Sequence, residues 1–225
     1  MKIYRLIPIL IILVSFFTGC LEYQQSTRIN KDGSGNMIIK FWKKLPDSTM
    51  VEKVSPNDTI MFNIDSIRSF YSSPYTKIED ISVKKDTTDS LIIATVKLSF
   101  SSVDSLNKTH AFENYKFSYV DGAPKQKVFS QEIPASTVLG LGLYDSTSTI
   151  TFKYVFSGEI ITDNATNRRQ DTLIWKYKLS ELSSLKTISV TIRPFKLDRT
   201  PIWIYWLAGG VLLIVFVFLI KKKKG

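Results

Sequence analysis

From Leu21 to Asn30 the chain alternates. Tyr23, Gln25, Thr27 and Ile29 fall on one side, and Glu22, Gln24, Ser26 and Arg28 on the other, the period of two that a strand imposes. Lys31-Asp32-Gly33-Ser34-Gly35 follows as a turn with two glycines free to take positive φ. Asn36–Lys43 then resumes the alternation with Met37, Ile39 and Phe41 on one face, which predicts a hairpin. The period changes where Ile60, Ile64, Ile67 and Tyr71 recur at helical spacing before Pro74, predicting a helix from Asn57 or Asp58 to Tyr71. Lys77–Lys84 and Leu91–Phe100 predict two strands around a turn at Lys85–Asp89, with Ile92, Ala94, Val96, Leu98 and Phe100 sharing a face. Ser101/Ser102 predicts the cap of a short helix through His110, with Val103 and Leu106 inward. Further strands are predicted at Tyr115–Val120, Gln126–Ile133, Thr149–Phe156, Thr172–Leu179 and Lys186–Arg193. The polar stretch Asp163–Asp171 and the segment with Gly140 and Gly142 read as loops.

This order predicts an α+β fold: a mostly antiparallel β-sheet with about two helices on one face. A C-terminal transmembrane helix is predicted as well. Ile202–Ile220 is an uncharged apolar run of a length that matches a hydrocarbon core of ~30 Å. Trp203, Tyr205 and Trp206 at its start fit an interfacial belt, and Lys221, Lys222, Lys223 and Lys224 fit a cytoplasmic flank. The expected organisation is a signal over 1–19, an exported domain over 20–199, a membrane helix over 200–220 and a lysine tail over 221–225. The last strands, 148–194, either extend the main sheet or form a small sheet of their own.

The amino terminus has its own pattern. Lys2 and Arg5 precede the apolar stretch Leu6–Phe17, and Phe17-Thr18-Gly19-Cys20 closes it, the layout of a secretory signal. Small residues ending in Cys resemble the bacterial lipobox, which implies cleavage after Gly19 and diacylation of Cys20. An uncleaved signal-anchor helix is the alternative. Cys20 is the one cysteine, so no intrachain disulfide forms. The formal net charge of +10 shrinks once the ends are set aside. Removing two basic residues of the signal and four of the tail leaves 30 − 2 − 4 = 24 basic against 20 acidic residues. A surplus of this size is not a nucleic-acid pattern.

Several of these features together resemble the LppM-type lipoprotein domain. They are Cys20 followed directly by a strand, the turn Asn30–Gly35, the strand–helix step Leu98–Asn107, the segment Phe156-Ser157-Gly158-Glu159-Ile160, a strand with Trp175, and a final apolar helix with lysines. The family often has Pro-Gly where this chain has Ser157-Gly158. The resemblance implies an α+β domain at the outer face of the cytoplasmic membrane, with lipid or envelope-component binding and no established enzyme activity.

Candidate chemistry is sparse. His110 is the one histidine; it can end a helix or act as a lone base. Asp32 is the one carboxylate in the Lys31–Gly35 turn, too few for a calcium loop. Glu79 and Asp80 are strand neighbours and point to opposite faces. Gly140-Leu141-Gly142 lacks the remainder of a phosphate-loop fingerprint. No catalytic residue, metal site or cofactor is therefore assigned. Trp42, Phe152, Tyr154, Phe156, Trp175 and Tyr177 fall at strand spacing, as a core or as the lining of an apolar lipid pocket. Lys43/Lys44, Lys84/Lys85 and Arg168/Arg169 are basic pairs that suit solvated turn ends or anionic headgroups. Lys84, Lys85, Arg168 and Arg169 are the candidate headgroup contacts. The expected function is a membrane-anchored, non-enzymatic binding or scaffolding module, with membrane lipids and an envelope protein or lipid ligand as partners. The alternative is an envelope hydrolase or an accessory subunit of a membrane enzyme complex.

Overall fold

Alternating strands with one apolar face must bury that face against a second layer, and two sheets do so here. The computed structural model describes residues 21–44, 61–86, 88–134, 148–194 and 202–222, with the side chains of the last helix described through Val215. Cys20, the predicted helix start at Asn57 or Asp58, Gly140, Gly142, Lys223 and Lys224 lie outside the described residues. The elements are β1 (Leu21–Ile29), β2 (Gly35–Lys44), α1 (Ile64–Tyr71), β3 (Thr76–Asp86), β4 (Leu91–Phe100), β5 (Ser118–Asp121) and β6 (Lys127–Ile133). After them come β7 (Thr149–Phe156), β8 (Glu159–Asp163), β9 (Asn167–Arg169), β10 (Thr172–Lys178), β11 (Lys186–Arg193) and α2 (Ile202–Lys222).

One sheet has seven strands in the order β3-β4-β2-β1-β7-β10-β9, and the other has four in the order β5-β6-β11-β8. All pairings are antiparallel except β1 with β7, which run parallel. The strands of 148–194 divide between both sheets: β7, β9 and β10 extend the large one, while β8 and β11 join the small one. The inward side chains of the two sheets interlock as aromatic pairs. Phe129 of β6 lies 4.9 Å from Tyr154 and 5.3 Å from Phe156, both on β7, and Tyr154 meets Trp175 of β10 edge-on at 5.9 Å. Such tilted and edge-on contacts suit the ring quadrupoles.

α1 covers the remainder of the same face. Asn63 caps it, its Oδ1 accepting from the backbone N–H of Asp65 (2.9 Å) and Ser66 (3.0 Å). Ile67 and Tyr71 turn inward, and Tyr71 meets Phe112 at 5.7 Å.

Three expectations require correction. The α+β class gives way to a mostly β fold, because eleven strands dominate the described residues of 21–194 while α1 spans eight residues. The helix predicted from Ser101/Ser102 to His110 is instead two 3-10 turns, Asp104–Lys108 and His110–Phe112. Thr109 between them has extended backbone (φ −98°, ψ 130°), which interrupts the helical path. At the carboxyl end α2 forms within a separate unit, Phe195–Gly225. However, among the described residues no helix is long and apolar enough to cross a membrane. The predicted transmembrane helix over Ile202–Ile220 is therefore not supported.

The β1–β2 turn joins distant parts of the chain. Gly33 takes φ +86°, and its carbonyl accepts from Val103 N–H at 2.9 Å. Gly35 sits between Ile29 and Phe100 in the ladder. A methyl there would run into the Arg28 carbonyl oxygen and come within 2.6 Å of the Phe100 ring. Gly35→Ala is therefore expected to cost about 3 kcal/mol, since neither backbone nor packed ring yields easily. Thermal unfolding should show a Tm lower by roughly 6–12 °C; an unchanged Tm would mean that this corner relaxes freely.

Candidate binding surface

The seven-stranded sheet has one face in the core and one open. On β1, β2, β4, β7 and β10, the inward positions are those of Tyr23, Ile39, Val96, Phe152 and Trp175, all buried. Register then sets what stands on the open face, row by row. One cross-strand row reads Lys97, Ile38, Ser26, Lys153, Ile174 from β4 to β10. The next reads Thr95, Lys40, Gln24, Thr151, Lys176. A third, toward the Ile29 end, reads Ser99, Asn36, Arg28, Val155, Thr172. Toward the Leu21 end, Ile93, Trp42 and Glu22 are aligned, and Lys44 and Lys178 close the open side of their strands.

Across these five strands the open face carries Arg28, Lys40, Lys44, Lys97, Lys153, Lys176 and Lys178, against Glu22 alone. Seven cations against one anion exceed the surplus of 24 − 20 = 4 over the whole of residues 20–199, so the charge is concentrated on this face. Lys97 pairs with Asp80 of β3 at 3.2 Å, and Lys153 Nζ donates to Gln24 Oε1 at 2.9 Å. Lys40 and Lys176 are exposed and form no ion pair among the described residues. The small sheet differs: there Lys127 pairs with Asp121 (2.8 Å), Arg193 with Glu159 (3.2 Å), and Lys116 with Glu132 (2.7 Å).

The four predicted headgroup contacts do not form one cluster. Lys84 and Lys85 face Ile93 and Ile92 on β4, which face Trp42 and Lys43 on β2, next to the Leu21 end of β1. Arg168 and Arg169 lie on β9 at the opposite edge of the sheet, at the level of Val155 and Arg28, toward the Ile29 end. Of the predicted core aromatics, Phe152, Tyr154, Phe156 and Trp175 are buried and Tyr177 is half-buried. Trp42 is corrected: it alternates with buried Phe41 and so stands on the open face. On α2, Trp203, Tyr205 and Trp206 are exposed, and the helix ends at Lys221 and Lys222.

The other candidates find structural partners. His110 stacks edge-on with Phe70 at 4.9 Å and places Nδ1 3.4 Å from Glu113 Oε2. Asp32 Oδ1 accepts from the Ser34 hydroxyl (2.7 Å) and N–H (3.0 Å), bonds that hold its carboxyl below the usual range. Glu79 is the extra residue of a bulge in β3. Among the described residues no group of three His, Cys, Asp or Glu side chains is placed to hold a metal.

One feature escaped the sequence reading. Gln25, Thr27 and Gln131 are buried inside an aromatic core. Gln25 Nε2 donates to Tyr154 Oη (2.9 Å) and to Thr27 Oγ1 (3.1 Å), and Gln25 Oε1 accepts from Tyr23 Oη (3.2 Å). Tyr154 in turn donates to Gln131 Oε1 (2.5 Å), joining the two sheets, while Gln131 Nε2 has no partner among the described residues. The sole signal for it was polar residues at inward positions of β1 and β6.

No protein-family model matches the sequence, and no curated protein matches it. Among solved structures, the chain is similar to the folded domain of LppM from Mycobacterium tuberculosis, determined by NMR. The identity is 14% and the TM-score 0.47, over 80% of this chain and 94% of that one.

Proposed function

We propose that this chain is an exported lipoprotein, held to the outer face of the cytoplasmic membrane through a diacylated Cys20. Its β domain serves as a non-enzymatic binding or scaffolding module for lipid or envelope components. The observation that carries this reading is the position of β1. It starts at Leu21, one residue after Cys20, and it is the fourth of seven strands in a sheet whose open face is basic. A lipid there tethers the middle of that sheet, with no linker between. The titratable groups that burial perturbs most are core tyrosines, which pack rather than react.

Intact mass of the purified protein tests the tether. A mature chain lacking residues 1–19 and carrying a diacylglyceryl group is expected, and Cys20→Ala should leave the longer, unmodified precursor. A mature mass that still includes residues 1–19 overturns the lipoprotein reading.

A further inference from the structure

We infer that the open face of the seven-stranded sheet lies flat against an anionic bilayer, with β1 and its neighbours parallel to the membrane plane. The spacing of the cations identifies the class of partner. Lys97 and Lys153 share a row but are three strands apart, as are Lys40 and Lys176. Three spacings of ~4.8 Å separate each pair by about 14 Å. No single phosphate or carboxylate bridges that gap, and the closer diagonal neighbours, Lys40 with Lys97 and Lys153 with Lys176, form two groups on opposite sides of it. A lattice of separate cations suits a surface that offers many anions at once.

The residues between the lysines distinguish a bilayer from a soluble polyanion. Ile38 and Ile174 sit in the lysine row itself, and Trp42 lies toward the Leu21 end. Ile38 is 39% exposed. Apolar and aromatic groups gain by entering the headgroup region, which a hydrated polyanion does not provide. Lysines rather than arginines fit as well, because an ammonium acts as a point charge and not as a fork for one bound group. The flat orientation also brings in Lys84 and Arg169, which pair with Ile93 and Thr172 and so share the open face at opposite edges of the sheet. Lys85 and Arg168 pair with Ile92 and Leu173 and stand on the other face. The inference rests on the lipid-tether reading for what holds the chain at the surface, but it fixes a face that the tether alone does not.

The test uses the full chain reconstituted in vesicles of equal parts phosphatidylglycerol and phosphatidylcholine. A fluorophore is placed at Asn36→Cys on the open face or at Thr187→Cys on the outer side of the small sheet, and headgroup-nitroxide lipids act as the quencher. The Asn36 label should be quenched clearly more than the Thr187 label, since even one headgroup-facing lysine favours that orientation by about fivefold in population. That preference should vanish in pure phosphatidylcholine, in high salt, and in a Lys40→Glu/Lys97→Glu/Lys176→Glu variant, whose exposed positions leave the core intact. Equal quenching of the two labels, or stronger quenching at Thr187, overturns the inference. So does a preference that persists without anionic lipid, which would mark the apolar residues as sufficient. Thiol labelling of the parent chain reads the tether separately: a reactive Cys20 sinks the lipid reading alone, and the two labels are then read in a Cys20→Ser background.

Discussion

Tyr154→Phe is expected to destabilise the domain by about 2–4 kcal/mol, although it removes a single oxygen atom. That oxygen accepts from Gln25 Nε2 and donates to Gln131 Oε1, across the interface of the two sheets. Gln25 retains Thr27 and Tyr23 as partners after the change. Gln131 does not. Its Nε2 is already unpaired, so the whole amide is stranded among Phe129, Ile133 and Tyr154. A buried polar atom without a partner costs about 1–3 kcal/mol, more than a hydrogen bond gains when formed. The asymmetry supplies the check. Adding Gln131→Leu to Tyr154→Phe should return much of the loss, since an apolar pair of similar shape needs no partner. Urea unfolding at an unchanged m-value measures both variants. A loss below about half a kcal/mol, or no recovery in the double variant, would show that the network contributes nothing to stability.

The same network shows how far the sequence could be read. Strands with strict alternation came through well: Leu91–Phe100, Thr149–Phe156 and Lys186–Arg193 form with those bounds. Local turn chemistry at Asn30–Gly35 likewise joins β1 to β2. What failed was non-local. Nothing in residues 21–30 announces a parallel pairing with residues 150–156, because parallel neighbours are joined by long crossovers rather than turns. Gln25 and Gln131 occupy inward positions of their strands, yet inwardness reveals burial only once the facing layer is known. β8 and β9 carry no alternating apolar pattern: β8 has two adjacent isoleucines and β9 is wholly polar. The helix predicted after Ser101 was lost because Val103, Leu106 and Phe112 reach the core equally well from 3-10 turns. The basic face was hidden in the same way. Lys40, Lys97, Lys153 and Lys176 each look like a solvated strand position, and only the strand order places them on one plane.

Raising the pH above about 11 is expected to unfold the domain in one cooperative step. Tyr23, Tyr71, Tyr115 and Tyr154 are 3%, 3%, 5% and 0% exposed. Burial disfavours the phenolate and holds each pKa above its ordinary value of 10, and neighbouring phenols add to the shift at Tyr23, Tyr71 and Tyr154. Below pH ~10 the four are neutral in both the folded and unfolded chain and leave stability independent of pH. Above it the unfolded chain releases protons that the folded chain retains, so stability falls as pH rises. Each buried phenol contributes about 1.4 kcal/mol per pH unit. Four together remove about 5.5 kcal/mol per unit, until the folded pKa values are reached. Against a total of about 5–15 kcal/mol, roughly one to three units suffice. The four core phenols should ionise together with the loss of far-UV circular dichroism. Tyrosinate absorbance followed alongside the dichroism shows whether the two changes coincide. If all tyrosines titrate in one smooth step near pH 10 while the dichroism persists, hydroxide reaches the core in the folded state, and these rings are not the sealed packing on which the fold depends.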